Sequence, residues 1–245
     1  MTDRSPEIRT VILAGGQGAR LAPLTTIVPK PLVPVGEQAI LEILLRQLVA
    51  QGCHRITITL GHLGHLIRAV VDDGRAWGAD VEYTQESEPM GTAGALALLE
   101  DLRPDDIVLA INGDTLTDLR FRDFVDAHHA RGAAATIAVA RRAVPIDFGV
   151  IEADERGELV AYREKPRLEY LVSIGVNVFT GRELSLLDGS TPCNLPEFLL
   201  ALQAAGRPVM CHEVDCYWLD LGRIDDLRSA AGTLEAARDR FLPEP

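Results

Sequence analysis

The sequence is poor in the features that announce several common protein classes. Behind Asp3, Arg4, Glu7 and Arg9 there is only a short apolar run, so neither a signal peptide nor a membrane span is predicted, and the cytoplasm is the expected compartment. The four cysteines, Cys53, Cys193, Cys211 and Cys216, form no C-x-x-C pair and no zinc-type spacing, which suits packing or weakly exposed thiols in a reducing compartment. Positive charge is scarce. The 24 Lys and Arg stand against 36 Asp and Glu, a formal net charge of −12 that argues against nucleic acid or an anionic membrane as partner. There is no internal repeat, low-complexity segment or linker. Two phosphate-binding signatures are missing by spelling: Leu21 takes the place of the third glycine of a dinucleotide fingerprint, and no Gly-Lys-Ser/Thr of a P-loop occurs.

What is present is an ordinary globular composition, 47% hydrophobic and 24% charged over 245 residues, enough for a substantial core. Apolar runs alternate with amphipathic stretches. Strands are predicted at 8–14, 55–60, 81–85, 106–111 and 134–140, and helices at 39–51, 63–72, 92–100 and 121–131. This rhythm predicts an α/β fold with a doubly wound, mostly parallel sheet. After Arg141 the rhythm changes to strands at 149–152, 158–163 and 172–179 joined by short turns, which reads as antiparallel additions forming a lid or second wall of a cleft. Helices at 195–205 and 224–236 flank a strand at 209–214, and residues 241–245 are expected to fray.

The most informative segment follows the first strand. Leu13-Ala14-Gly15-Gly16-Gln17-Gly18-Ala19-Arg20-Leu21 combines three glycines with a guanidinium, and Pro29-Lys30-Pro31 adds an ammonium on a backbone stiffened by two prolines. Glycines let backbone N–H groups approach a ligand, and paired cations suit a polyphosphate, so a nucleoside triphosphate is predicted here. Asp114 follows the strand at 106–111 through Asn112-Gly113, and a carboxylate at the carboxyl end of such a strand faces the expected cleft. Asp220 follows Trp218-Leu219. Asp118 is read as the cap of the helix at 121–131, and His128-His129 as the solvent-facing end of that helix. His62 and His65 have a ligand-like spacing without a third ligand nearby, and are assigned to a helix N-terminus. Trp77 and Trp218 are assigned to packing.

The stretch from Leu13 to Pro34 resembles the signature of the sugar-1-phosphate nucleotidylyltransferases. The resemblance recurs in Glu88-Pro89-Met90-Gly91-Thr92-Ala93-Gly94, Asn112-Gly113-Asp114, Phe148-Gly149-Val150, Arg163-Glu164-Lys165-Pro166 and Trp218-Leu219-Asp220-Leu221-Gly222, in the family's order. One departure is Gly18-Ala19-Arg20, where the family often has Gly-Thr-Arg. The resemblance implies a Rossmann-like nucleotidyltransferase fold, one domain over 1–245. Its nucleotide part is about 1–141, its sugar part about 142–223, and a C-terminal helix and tail fill 224–245. It assigns Mg²⁺ to Asp114 and Asp220, the nucleotide to Leu13, Ala14, Gly15, Gly16, Gly18, Arg20, Lys30, Glu86, Gly91 and Gly113, and the sugar phosphate to Gly149, Glu164, Lys165 and Asn177. Arg20, Lys30, Asp114 and Asp220 are the expected catalytic residues, acting on an NTP and a sugar 1-phosphate, with homo-oligomerisation plausible for the family.

Base choice turns on Glu86. Thymidylyl- and uridylyltransferases of the family typically carry glutamine there, whose amide both donates and accepts. A carboxylate instead suits guanine, which presents N1–H and N2–H₂ together. The surrounding Glu-Pro-x-Gly-Thr-Ala-Gly is similar to the GDP-mannose pyrophosphorylase branch. GTP and mannose 1-phosphate, or a related hexose or heptose phosphate, are therefore expected. The alternatives are a dTTP- or UTP-dependent glucose-1-phosphate enzyme, and a non-catalytic sugar-nucleotide-binding homologue. A glycosyltransferase would not need the Arg20–Lys30 pair.

Overall fold

The computed structural model describes residues 8–86, 88–222 and 224–242. Its strands are β1 (Ile8–Ala14), β2 (Pro34–Val35), β3 (Gln38–Ala39), β4 (Arg55–Leu60), β5 (Asp80–Gln85), β6 (Ile107–Asn112), β7 (Thr115–Thr117), β8 (Ala135–Pro145), β9 (Val150–Ala153), β10 (Leu159–Arg163), β11 (Arg167–Thr180), β12 (Val209–Glu213) and β13 (Trp218–Asp220). Its α-helices are α1 (Ile40–Ala50), α2 (Gly64–Val71), α3 (Gly91–Gly94), α4 (Phe121–Arg131), α5 (Gly181–Leu184), α6 (Leu195–Ala204), α7 (Ile224–Ala236) and α8 (Arg238–Phe241).

Seven strands form one sheet in the order β12-β8-β11-β6-β1-β4-β5. β1 pairs parallel with β4 and β6, β4 with β5, and β12 with β8, while β11 runs antiparallel to both β6 and β8. The doubly wound, mostly parallel sheet expected from the sequence is what forms. Alternation along β1 explains the two faces. Ile12 and Ala14 join the core under α1, α2 and α4, whereas Val11 packs with Leu195, Phe198 and Leu202 of α6 on the opposite face. A third cluster joins Val33, Val35 and Ile40 to Leu116, Leu221, Leu234 and Phe241, and so ties the C-terminal helices to the short β13–β7 pair.

Where the structure departs from the sequence expectation, tertiary pairing has overridden local pattern. The strands predicted at 134–140 and 172–179 both lengthen, because 141–145 and 167–171 pair with each other as an exposed ribbon beyond the sheet. β9 and β10 form a separate antiparallel hairpin. The predicted helix at 92–100 is only the single turn of α3 followed by a 3₁₀ segment at Ala95–Leu98. Phe241 does not fray: it is fully buried and meets Tyr217 edge-on. Residues 243–245 of that expected tail lie outside the described residues. Asp118 does not cap α4. Its Oδ1 accepts from the Tyr217 backbone N–H at 2.7 Å and its Oδ2 pairs with Arg240, while the first N–H of α4 is taken by Gln51 Oε1 at 2.7 Å. Among the described residues no helix is long and apolar enough to cross a membrane.

His128, expected at the surface, is 1% exposed. Its Nδ1 lies 2.8 Å from Thr136 Oγ1 and its Nε2 3.2 Å from Thr180 Oγ1. Thr180 donates its own proton to the Ala133 carbonyl at 3.0 Å. It can therefore only accept from the ring, which places the imidazole proton on Nε2 and leaves Nδ1 to accept from Thr136. Burial holds the pKa down, to about 4, with the neighbouring His129 acting in the same direction. A folded pKa below the unfolded value near 6.5 means that the unfolded chain binds the proton first. This stability is complete above pH 6.5 and is lost as pH falls toward 4, by about 1.4 kcal/mol per pH unit inside that window. His128→Gln removes the titration, so urea unfolding at pH 7 and pH 5 is expected to show a smaller acid loss in the variant than in the wild type. Equal losses would contradict the neutral buried histidine.

Candidate active site

A cavity of about 720 Å³ opens at the carboxyl ends of β1, β4, β5 and β6. This is where an open α/β sheet offers backbone N–H groups and unpaired strand ends to a ligand. Its floor is the loop after β1. A Cβ on Gly61 would stand 2.8 Å from Gly15 Cα and closer still to its carbonyl oxygen, so the two glycine backbones touch directly. Gly15 also accepts from the His62 N–H at 3.3 Å. Gly18 has φ 62°, and a Cβ there would meet Thr25 Cγ2 at 2.9 Å, while Thr25 Oγ1 donates to the Gly18 carbonyl at 2.9 Å. This turn delivers Arg20 to the mouth of the cavity.

The cations and carboxylates named from the sequence converge. Lys30 is only 9% exposed, and its Nζ binds Asp114 Oδ2 directly and lies 3.6 Å from Asp220 Oδ1. Arg20 Nη2 stands 3.7 Å from the other oxygen of Asp220, with its guanidinium against Gly222. Backbone bonds hold these groups in place. Gly113 donates to the Leu13 carbonyl at 2.9 Å and Leu221 to the Asp114 carbonyl at 3.2 Å, while β13 sets Asp220 opposite Thr115. Gly113 is tightly packed, since a Cβ would meet Leu13 O, Pro31 Cγ and Ile12 Cγ2 at 3.1 to 3.3 Å.

Glu86 also lines the cavity and stands beside Gly15, where a Cβ on the glycine would be 3.3 Å from Glu86 Oε2. Partial burial pushes the Glu86 carboxyl pKa up, and a hydrogen bond from the Met90 backbone pulls it part of the way back. Beyond it, Gly91 has φ 75° and lies against the Cys193 carbonyl. Ala93 and Gly94 both donate to that carbonyl at 3.0 Å, Cys193 donates to the Met90 carbonyl at 2.8 Å, and Thr92 Oγ1 accepts from Leu195 N–H at 2.8 Å. The loop is thereby pinned to the start of α6, whose Asn194–Glu197 capping box holds the next turn.

Of the expected nucleotide residues, Leu13, Ala14, Gly15, Gly16, Gly18, Arg20, Lys30, Glu86, Gly91 and Gly113 all line this cavity, together with Asp114. Asp220 reaches it through Arg20 and Lys30. The sugar-side residues lie elsewhere. Gly149 and Glu164 come together around Tyr162, whose hydroxyl donates to Glu164 Oε2 at 3.0 Å, and Lys165 follows in an exposed left-handed turn at φ 43°. Asn177 is 3% exposed inside the sheet, in register with Ala110 and Ile137, and its Oδ1 has no partner among the described residues. It is not part of the cavity wall. Sequence reasoning missed Thr59, His62, Gln85, Glu88, Asn112 and Asn194 as wall residues. Asn112 lay inside a quoted motif and Asn194 in a capping-box pattern, but neither pattern marks a cavity.

A model of the nucleotidyl transferase family matches residues 9–237. The chain belongs to that family. A mannose-1-phosphate guanylyltransferase of Mycobacterium tuberculosis is 30% identical over 225 residues, which cover 90% of this chain and 62% of that protein. A UTP–glucose-1-phosphate uridylyltransferase of Synechocystis is 28% identical over 239 residues, 89% of this chain and 61% of that one. The chain thus spans about three-fifths of the length of these relatives. A Bacillus anthracis protein assigned as a glucose-1-phosphate thymidylyltransferase, solved with sucrose, has the same fold, with a TM-score of 0.74 at 24% identity over 96% of this chain and 98% of that one.

The contact between Gly15 and Gly61 makes a paired prediction. Gly61→Ala forces two backbones apart and is expected to lower unfolding stability by about 1–3 kcal/mol. Gly16→Ala, where a Cβ meets nothing within 4 Å, is expected to leave it nearly unchanged. Equal urea midpoints for the two variants would contradict the loop geometry.

Proposed function

We propose that this chain transfers a nucleotidyl group from a nucleoside triphosphate to a sugar 1-phosphate, giving an NDP-sugar and pyrophosphate. The observation that carries the reading is the convergence of Arg20, Lys30, Asp114 and Asp220 at the glycine-lined end of the cavity. An oxygen of the sugar phosphate, largely a dianion at neutral pH, attacks the α-phosphorus in line. The bond to the bridging oxygen of the β-phosphate breaks, and no general base is needed. Lys30 and Arg20 stabilise the charge that grows on the leaving pyrophosphate and the equatorial oxygens. The Gly15–Gly18 backbone positions the triphosphate against them.

The donor set suits Mg²⁺, since two carboxylates supply hard oxygen ligands and leave the remaining positions to phosphates and water. Asp114 and Asp220 would hold the ion. When bound it would offset the negative charge of the phosphates. The sugar would be met by Glu164 through its hydroxyls and by Lys165 through its phosphate, with Gly149 leaving room beside them; Asn177 stays the weakest member of this set, because its side chain is enclosed in the sheet.

GTP is the favoured nucleotide. A partly buried carboxylate at Glu86 seeks donors, and the guanine edge offers two in parallel. The guanylyltransferase relative from Mycobacterium tuberculosis fits this preference. One observation favours a pyrimidine instead. Gln85 lines the cavity with its Nε2 donating to the Leu60 carbonyl at 3.3 Å, and an amide is what thymine or uracil would pair with. The uridylyltransferase relative fits that reading.

Pyrophosphate release with Mg²⁺, offering GTP, dTTP, UTP, CTP and ATP each with a pool of hexose 1-phosphates, tests both levels. Release with GTP, and a fall of about tenfold or more in GTP over UTP preference for Glu86→Gln, are expected. An unchanged nucleotide profile in the variant defeats the base reading. Silence with every nucleotide from folded protein defeats the enzyme reading.

A further inference from the structure

The four charged groups at the glycine-lined end of the cavity already satisfy one another. Lys30 Nζ binds Asp114 Oδ2 and lies 3.6 Å from Asp220 Oδ1, while Arg20 Nη2 stands 3.7 Å from the other oxygen of Asp220. Two cations and two carboxylates thus form a neutral set before any ligand arrives. The side chains of Asp114 and Asp220 are 24% and 44% exposed, so both are open to an ion from solvent. Lys30 is the enclosed member. It opens the 3₁₀ turn Lys30–Leu32 after Pro29, and its stem packs beside Gly18, where a Cβ on the glycine would be 3.2 Å from Lys30 Cβ. Among the described residues no group of three His, Cys, Asp or Glu side chains could hold a metal ion. The described residues therefore offer a divalent ion at most two carboxylates here, and a positive charge already stands between them.

We propose that Lys30 is a built-in substitute for the divalent ion: without nucleotide its ammonium keeps metal off Asp114 and Asp220, and a polyphosphate opens the pair by drawing the ammonium away. The inference rests on the metal role proposed above for these two carboxylates. Magnesium–oxygen bonds are about 2.1 Å long, so an ion on the Asp114 oxygen that Lys30 binds would stand within about 5 Å of the ammonium. Like charges that close, in a position shielded from water, repel strongly. Free metal therefore has to displace the ammonium from its only close partner, and an enclosed ammonium without a partner is costly. Phosphate oxygens reverse this balance. They give Lys30 and Arg20 new partners, which frees both carboxylates, and they supply the ion with the oxygens that the protein lacks. By linkage, ion and nucleotide then strengthen each other's binding, and the site takes the metal–nucleotide complex as one ligand. A chain of net charge −12 attracts divalent cations at large, and the ammonium keeps them from settling here alone.

Mn²⁺ titrated into the nucleotide-free whole chain, with free ion read by electron paramagnetic resonance, tests this without turnover. Lys30→Met removes the charge and keeps the stem, and is expected to tighten the Kd for Mn²⁺ by about tenfold or more over the wild type. Lys30→Gln keeps a hydrogen-bond donor for Asp114, guards against a fold lost to the apolar substitution, and is expected to shift the same way. Adding Asp220→Asn to either variant is expected to abolish the gain. Equal Mn²⁺ affinity in the wild type and both Lys30 variants, all folded by circular dichroism, would overturn the proposal. So would a gain that survives Asp220→Asn, since the ion would then sit elsewhere. The titration is independent of pyrophosphate release: tighter Mn²⁺ binding in the variants, from a wild type that releases no pyrophosphate, would support this role of Lys30 while defeating the transferase reading.

Discussion

An ammonium held between two carboxylates organises this molecule. Lys30 brings its charge to a position that is 9% exposed, where it would be unstable without Asp114 in contact and Asp220 within 3.6 Å. The three residues come from a 3₁₀ turn after Pro29, from the turn between β6 and β7, and from the end of β13. Their meeting therefore depends on the sheet order, on the β13–β7 pairing and on the third core cluster that clamps α7 and α8 against both. A mostly apolar scaffold thus carries a compact group of opposed charges at one end, in a chain whose net charge of −12 would otherwise repel an anionic ligand.

Close backbone contacts set the rest of the site. Gly61 has no space for a side chain against Gly15, and Gly113 packs tightly against Leu13 and Pro31 while its N–H binds the Leu13 carbonyl, so the loop after β1 is tied to the turns after β4 and β6. On the far side, the loop carrying Gly91 is pinned to Cys193 and to the capped start of α6, and that loop in turn offers the Met90 N–H to Glu86. The cationic cluster and Glu86 are thereby held by separate sets of hydrogen bonds around one cavity.

Much of this was legible in the sequence, for identifiable reasons. Regular alternation and helical spacing located β1, β4, α4 and α7 at both ends, and the glycine loop with Lys30 between two prolines pointed to residues that line the cavity. The misses follow from interactions at long range. The outer halves of β8 and β11 are largely exposed and alternate in no regular way, and become strand by pairing with each other across some 25 residues. Asp118 has the local look of a cap, yet it is drawn to Tyr217 and Arg240, about a hundred residues away. His128 looks like the polar end of a charged helix, and only Thr136 and Thr180 from the sheet give its ring a reason to be buried. Gln85 and Asn194 enter the cavity wall by position alone, which no local pattern encodes.

The most direct test of the account is the rate of pyrophosphate release by Lys30→Ala in a single turnover, with urea unfolding measured alongside. The removed ammonium leaves Asp114 and Asp220 partly open to water, so the fold is expected to persist while the rate drops by about 10²-fold or more. A rate within twofold of the wild type, from equally folded protein, would contradict the central place given to this lysine.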